Sequence, residues 1–250
     1  MPGRWFLRAG VVLTLFFSGC SGHRANTEFI ERLKTERSFA LEVAQLLDRS
    51  REEAAVEARK IERAKEVAAV RATLPPAVIV PVQGSPSRGP ATARLTVVAF
   101  LDFECPYAAA TYFDLLGLQA KYRDSVRVVF KHLPLSSHRQ ARLAATAAEI
   151  ARDQGKFWEF SSALFHEQDF LSYPFLREIA RKVGIDMSAF NRALEHRRRD
   201  FLARVERDLA DARSLGVTAS PTVFFNGLRF NGHQGAEAYT QLVEAVVEGD

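Results

Sequence analysis

The stretch RLTVVAFLDFECPYAAATYFDLLGLQ, residues 94 to 119, constrains this chain more than any other. Its first half is a continuous apolar run ending in Asp102, the signature of a buried strand. From Pro106 to Tyr122 the spacing turns helical, with Tyr112, Leu115, Leu116 and Leu118 on one side. Cys105 falls at the junction. A second apolar run, SVRVVFKHL, follows the helix, and two such strands joined through a helix pair in parallel as a right-handed βαβ unit.

The remainder of the chain extends that unit in a definite order. Residues 139 to 215 have helical character with breaks at Gly155, at Pro174 and around Gly184 to Asp186, so several helices are expected. PTVFFNG and LRFNGHQG read as a hairpin turning at Asn226 and Gly227, a strong signal for a type I′ turn. A last helix spans Ala236 to Val247. The order βαβ, helices, ββα predicts an α/β protein with the thioredoxin fold and a helical insertion at about 136–216. Val78, Ile79, Val80 and Val82 are expected to add a short edge strand, the only place where Pro81 is tolerable.

Between Asn26 and Thr73 there is neither proline nor glycine, and Ala, Glu, Arg and Leu dominate. One long helix is expected before the domain. Heptad a and d positions fall at Ile30, Leu33, Arg37, Ala40, Ala44, Leu47, Arg51, Ala54, Ala58, Ile61, Lys65, Ala68 and Ala72, a patterned but weak coiled-coil seam in which basic residues recur. At 1.5 Å per residue such a helix would reach about 70 Å. It serves either as a spacer or as a homo-oligomerisation stalk. Pro75 and Pro76 end it, which sets the domain at 77–250 and the stalk at 20–76.

The first nineteen residues have a basic start, an apolar run from Val11 to Phe17 and small Ser18 and Gly19, the pattern of a secretory signal. The run is too short for a comfortable transmembrane span. FSGC resembles the lipobox of bacterial lipoproteins, with Phe17 where leucine is usual. That resemblance implies cleavage before Cys20, lipid attachment to it, a membrane-anchored protein of the bacterial cell envelope facing the periplasm or exterior, and Cys105 as the one thiol of the mature chain. The net charge of +4 includes Arg4 and Arg8 and falls to +2 without the signal. No nucleic-acid surface follows from that balance, and Arg197, Arg198 and Arg199 read as a solvated helix face.

A cysteine at the start of a helix faces unpaired backbone N–H groups and the positive end of the helix dipole, which stabilise a thiolate. Such cysteines have pKa values of about 3.5 to 7.5. Cys105 is therefore the candidate nucleophile, and Pro106 suits the first helical turn, where its missing N–H costs nothing. Asp102 and Glu104 flank it; their charge would raise a thiol pKa if close and dry, and would matter little if solvated. Cys105 with the scattered His132, His138, His166, His196 and His233 has no metal-ligand spacing. No metal and no cofactor are expected, and Phe157 and Trp158 are expected to be core anchors.

GSPSRGP, FLDFECPY, KHLPLSSHRQARLAATAAEIARDQGKFWEFSSALF and GVTASPTVFFNG together resemble the DsbA-like family of thioredoxin-fold oxidoreductases over most of residues 77 to 250. The resemblance implies that Ser220 and Pro221 form a cis-proline loop against Cys105 that pairs with an incoming peptide. Pro106, Tyr107, Ser220 and Pro221 are then the substrate-binding residues. It also places His132, Pro134 and His138 in a loop after the second strand, read as structural. The departure is Ala108, where the family's Cys-x-x-Cys has its second cysteine. Without it, release of a mixed disulfide falls to an external thiol.

The function expected is monothiol exchange with protein or small-molecule thiols and disulfides, as isomerase or reductase, including deglutathionylation. The alternative is a redox-inactive peptide-binding or chaperone module, to which the stalk would add multivalency. Oxidation of Cys105 to a sulfenic acid is a third route, without a resolving cysteine to support it.

Overall fold

A computed structural model describes residues 21–73 and 77–247. The segment expected to be a signal, residues 1–19, and the expected lipidation site Cys20 lie outside the described residues. The chain divides into two units, 1–66 and 67–250.

The first unit holds helix α1 (Ser21–Thr35) and most of α2 (Arg37–Thr73), separated by Glu36. The rings of Phe29 and Phe39 meet at 5.5 Å, nearly perpendicular, and the Arg32 guanidinium lies 4.3 Å over Phe39. Ten residues of straight helix would set those rings about 15 Å apart along the axis. The axis therefore bends at Glu36, and the helical stretch is not the single straight rod that its uninterrupted composition suggests. Leu41, Leu46, Leu47, Val56 and Ile61 are all at least half exposed, and they lie at several positions around the α2 circumference.

The second unit is built on a five-stranded sheet of order β1-β3-β2-β4-β5, with β1 (Ser87–Arg88), β2 (Leu95–Leu101), β3 (Val126–His132), β4 (Thr222–Phe225) and β5 (Leu228–Asn231). Only β2 and β3 run in parallel, joined through α3 (Pro106–Lys121); the other pairs are antiparallel. Alternation along β2 fills two cores. Val97, Ala99 and Leu101 face the larger one with α3 and α9 (Ala236–Val247), whereas Val98 and Phe100 face a smaller one with Val129, Leu133 and Phe224.

The expected edge strand at 78–82 does not form. Residues 77–82 run as an irregular strap in which Val80 and Val82 pack on the smaller core and Ile79 is exposed, and the edge partner of β3 is Ser87–Arg88. The strap is held to the β4–β5 turn by a Val78 N–H bond to the Gly227 carbonyl at 3.0 Å. Gly227 has φ +85°, and a Cβ there would stand 2.2 Å from the Val78 carbonyl oxygen, so only glycine admits both the turn and the strap.

The insertion comprises α4 (Ala141–Asp153), α5 (Phe157–His166), a 3-10 turn (Gln168–Phe170), α6 (Tyr173–Lys182), α7 (Met187–His196) and α8 (Arg198–Ser214). Pro174 lies in the first turn of α6, where it starts a helix rather than breaking one. Asp186 caps α7 by accepting from the Ser188 and Ala189 N–H groups at 2.8 and 3.2 Å. Phe103 joins insertion to sheet, with its ring 4.8 Å from Phe165 and 5.5 Å from Phe130. Tyr112 completes the cluster 4.7 Å from Phe165, its hydroxyl donating to the Trp158 carbonyl at 3.1 Å, and burial pushes its pKa up to about 12 against the lowering hydrogen bond from Ser162. Phe157 is buried and Trp158 partly so.

Candidate active site around Cys105

Strand β2 delivers the chain into a turn, Asp102 to Glu104, and Cys105 becomes the N-cap of α3 in extended conformation, with Pro106 next. The Cys105 N–H closes the turn on the Asp102 carbonyl at 3.1 Å. Its sulfur does not cap the helix. The S–H instead donates to the Ser220 carbonyl at 3.3 Å, and the Ser220 Oγ accepts the Asp102 N–H at 2.9 Å. The Ser220–Pro221 peptide is cis. Ser220 therefore ties the proline loop to both ends of the Cys105 turn, and Cys105 retains only 6% of its surface.

The four residues expected to meet substrate divide by exposure. Tyr107 is 69% exposed and Pro106 is exposed beside it, while Ser220 is half-buried and Pro221 buried. Ala108, one turn after Cys105, is fully buried in the main core. A methyl group occupies the place from which a second thiol would reach Cys105.

Of the two neighbouring carboxylates, Asp102 is buried and Glu104 half-buried. The Asp102 Oδ1 accepts from the Glu104 N–H at 2.8 Å, and its Oδ2 from the Leu135 N–H at 2.7 Å and from His138 Nδ1 at 2.8 Å. The Glu104 Oε2 accepts from the Gln140 and Ala141 N–H groups at 2.7 and 2.6 Å. Gln140, the N-cap of α4, makes no side-chain cap of its own, so Glu104 caps that helix from 36 residues away. The loop after β3 is thereby pinned to the Cys105 turn.

His132 is the last residue of β3, wholly buried, with Nε2 3.2 Å from Glu149 Oε1. Glu149 also holds Arg152 and Arg204, at 3.1 and 3.2 Å. Burial alone would raise the Glu149 pKa, but the hydrogen bond and charge of His132, together with the two arginines, hold it at about 2. Lys131 is buried between Asp208 at 2.9 Å and Asp211 at 2.6 Å, which fixes β3 to α8. His132 and His138 are thus engaged with Glu149 and Asp102 within the framework.

Sequence reasoning missed Gln168. Its Nε2 donates to the Phe103 carbonyl at 2.7 Å and to the Cys105 carbonyl at 3.0 Å. It lies 63 residues from Cys105, on a 3-10 turn with no motif of its own. No signal in a single sequence marks it.

With this geometry in view, similarity to known proteins is specific. The family described as Thioredoxin (Thioredoxin_4) matches residues 82–245, and the chain belongs to it. Within that family its fold is of the DsbA-like kind. The thiol-disulfide exchange protein alpha-DsbA2 from Wolbachia pipientis superposes with a TM-score of 0.60 at 19% identity, over 75% of this chain and 97% of that one. A thioredoxin-like oxidoreductase from Silicibacter pomeroyi gives 0.58 at 25% identity, over 66% and 94%. The Na(+)/H(+) antiporter NhaA of Herminiimonas arsenicoxydans is 38% identical over 162 residues, which are 65% of this chain and 25% of the antiporter. The chain spans about a quarter of the length of the curated relatives it matches.

Proposed function

We propose that this protein carries out thiol-disulfide exchange in the cell envelope through the single sulfur of Cys105. The observation that carries the reading is the placing of Cys105 at the start of α3 against the cis Ser220–Pro221 loop, with alanine at 108. In the first step the Cys105 thiolate attacks one sulfur of a disulfide RS–SR′. The Cys105–SR bond forms as the RS–SR′ bond breaks, and R′S⁻ leaves. In the second step an outside thiolate, on the substrate or a small molecule, attacks the SR sulfur, and Cys105 leaves as thiolate. Tyr107 and Pro106 face the incoming chain, and the Ser220–Pro221 backbone frames it. The test is a trap with a peptide disulfide, in which wild type forms a mixed disulfide that a thiol releases and Cys105→Ser forms none.

A second reading, a peptide-binding or chaperone module, is favoured by one observation: the sulfur is shielded and its hydrogen already engaged by Ser220. Peptide binding that survives in Cys105→Ser, with no mixed disulfide in wild type, selects it.

The tether belongs to the same proposal. Lipidation of Cys20 would hold the protein at the membrane, and the helical first unit would act as a spacer or would associate with copies of itself through its weak heptad seam. Among the described residues no helix is long and apolar enough to cross a membrane. That the matching stretch in relatives forms part of antiporters supports a module working at a membrane surface.

A further inference from the structure

Gln168 spends both amide hydrogens of its side chain on the Cys105 turn, one on the carbonyl of Phe103 and one on that of Cys105. The orientation is unambiguous, because the flipped amide would set its oxygen against two carbonyl oxygens. Phe103 and Cys105 are both shielded, so water is a poor substitute for the bonds. The Cys105 carbonyl is also the acceptor of the Ala108 and Ala109 N–H groups at 3.0 and 3.3 Å, the first bonds of α3. One oxygen thus joins the insertion to the helix that carries the cysteine.

Cys105 is consequently held from two directions: its S–H by Ser220 and its carbonyl by Gln168. The first contact is lost when the thiol gives up its proton, since a thiolate has nothing to donate. The second is independent of the sulfur's charge. While the sulfur turns from Ser220 to an incoming disulfide, Gln168 keeps the backbone beneath it fixed.

We propose that Gln168 is a positioning residue for Cys105, setting the line along which the sulfur meets the incoming disulfide, and that through it the helical insertion controls the rate of exchange. This rests on Cys105 being the exchange nucleophile. Displacement at a disulfide needs the attacking, central and leaving sulfurs close to one line, a strict demand on orientation. A small alkylating agent approaches from many directions and makes a weaker one. Gln168 touches no substrate and acts only through the Cys105 backbone.

The test uses the full chain, with modification read at the Cys105 peptide, for wild type, Gln168→Leu and the isosteric Gln168→Glu, which at neutral pH has no hydrogen to give. Mixed-disulfide formation is followed against concentration of a peptide disulfide, and iodoacetamide alkylation at the same pH. In Gln168→Leu the plateau rate is expected to fall about tenfold, with the half-saturating peptide concentration unchanged and alkylation altered by less than about twofold. Gln168→Glu is expected to lose at least as much plateau rate, and it decides the matter alone should Gln168→Leu fail to fold. Equal losses in both reactions, no loss in either, or a change confined to the half-saturating concentration overturns the positioning role. A wild type that alkylates normally but forms no mixed disulfide removes the exchange reading and this role together, a result distinct from any loss seen beside an active wild type.

Discussion

The sulfur of Cys105 and the carbonyl oxygen of Ser220 stand 3.3 Å apart, and the hydrogen bond between them runs from sulfur to oxygen. A deprotonated sulfur would meet that oxygen as a repulsive neighbour. The contact therefore suits a thiol, and the exchange proposed above would require the sulfur to leave Ser220.

Restoring the second thiol tests how much of the dithiol machinery survives around it. Ala108→Cys places a sulfur one helical turn after Cys105, at a spacing that closes without backbone movement. In residues 21–250 the variant is expected to form an intramolecular disulfide under mild oxidant and to oxidise a reduced, unfolded protein. Free-thiol counting and an oxidative refolding assay read the two outcomes. Closure without oxidation of any substrate would mean that the substrate face has diverged.

Glu104 should matter to stability although it is far in sequence from the helix it caps. Glu104→Ala strands the Gln140 and Ala141 N–H groups and is expected to cost about 1–2 kcal/mol, seen as a melting point lower by a few degrees. Glu104→Gln keeps an acceptor oxygen and should lose less. Equal melting points for all three proteins would remove the cap from the account.

Acid should act through Glu149. Its folded-state pKa of about 2 lies below the 4.5 of a free glutamate. The stabilisation it gives is complete above pH 4.5 and is lost as pH falls through about 2, in all on the order of 3 kcal/mol. Glu149→Gln is expected to be less stable than wild type at neutral pH and to show a flatter decline between pH 5 and 2.5. Denaturant midpoints across that range give the comparison.

The membrane and assembly proposals separate cleanly. Cys20→Ala should abolish fatty-acid labelling of the protein in cells; unchanged labelling sinks the lipid anchor. Light scattering of residues 21–250 against 77–250 decides between stalk and spacer. A higher mass per particle for the longer chain alone supports association through the helical unit, and two monomers leave only the spacer.

What the sequence could show follows from where each constraint resides. Strands β2 to β5, α3, the hairpin at Asn226–Gly227 and the place of Cys105 were legible because apolar runs, helical spacing, a Cys-Pro junction and an Asn-Gly turn are local signals. The bend at Glu36 carries no proline or glycine to announce it. Residues 78–82 are apolar and β-branched, yet Pro81 and the close approach to Gly227 hold them as a strap. Asp102, Glu104 and Gln168 escaped for a common reason. Their partners are backbone groups 33 to 65 residues away, and a backbone N–H or carbonyl leaves no trace in residue type.

The methyl group of Ala108 changes what oxidation means for this molecule. A protein with two cysteines in one site carries its oxidised form within itself, so its reduction potential is a property of one chain and is indifferent to dilution. On the proposed reading, with Cys20 lipidated, a disulfide at the site would have to include a second molecule. Its occupancy then scales with the concentration of that partner, and its lifetime with the supply of outside thiol. If the proposed exchange holds, a protein so built would have no midpoint potential of its own; it would report, by how much of it is covalently occupied, the balance of thiols and disulfides in the space around it.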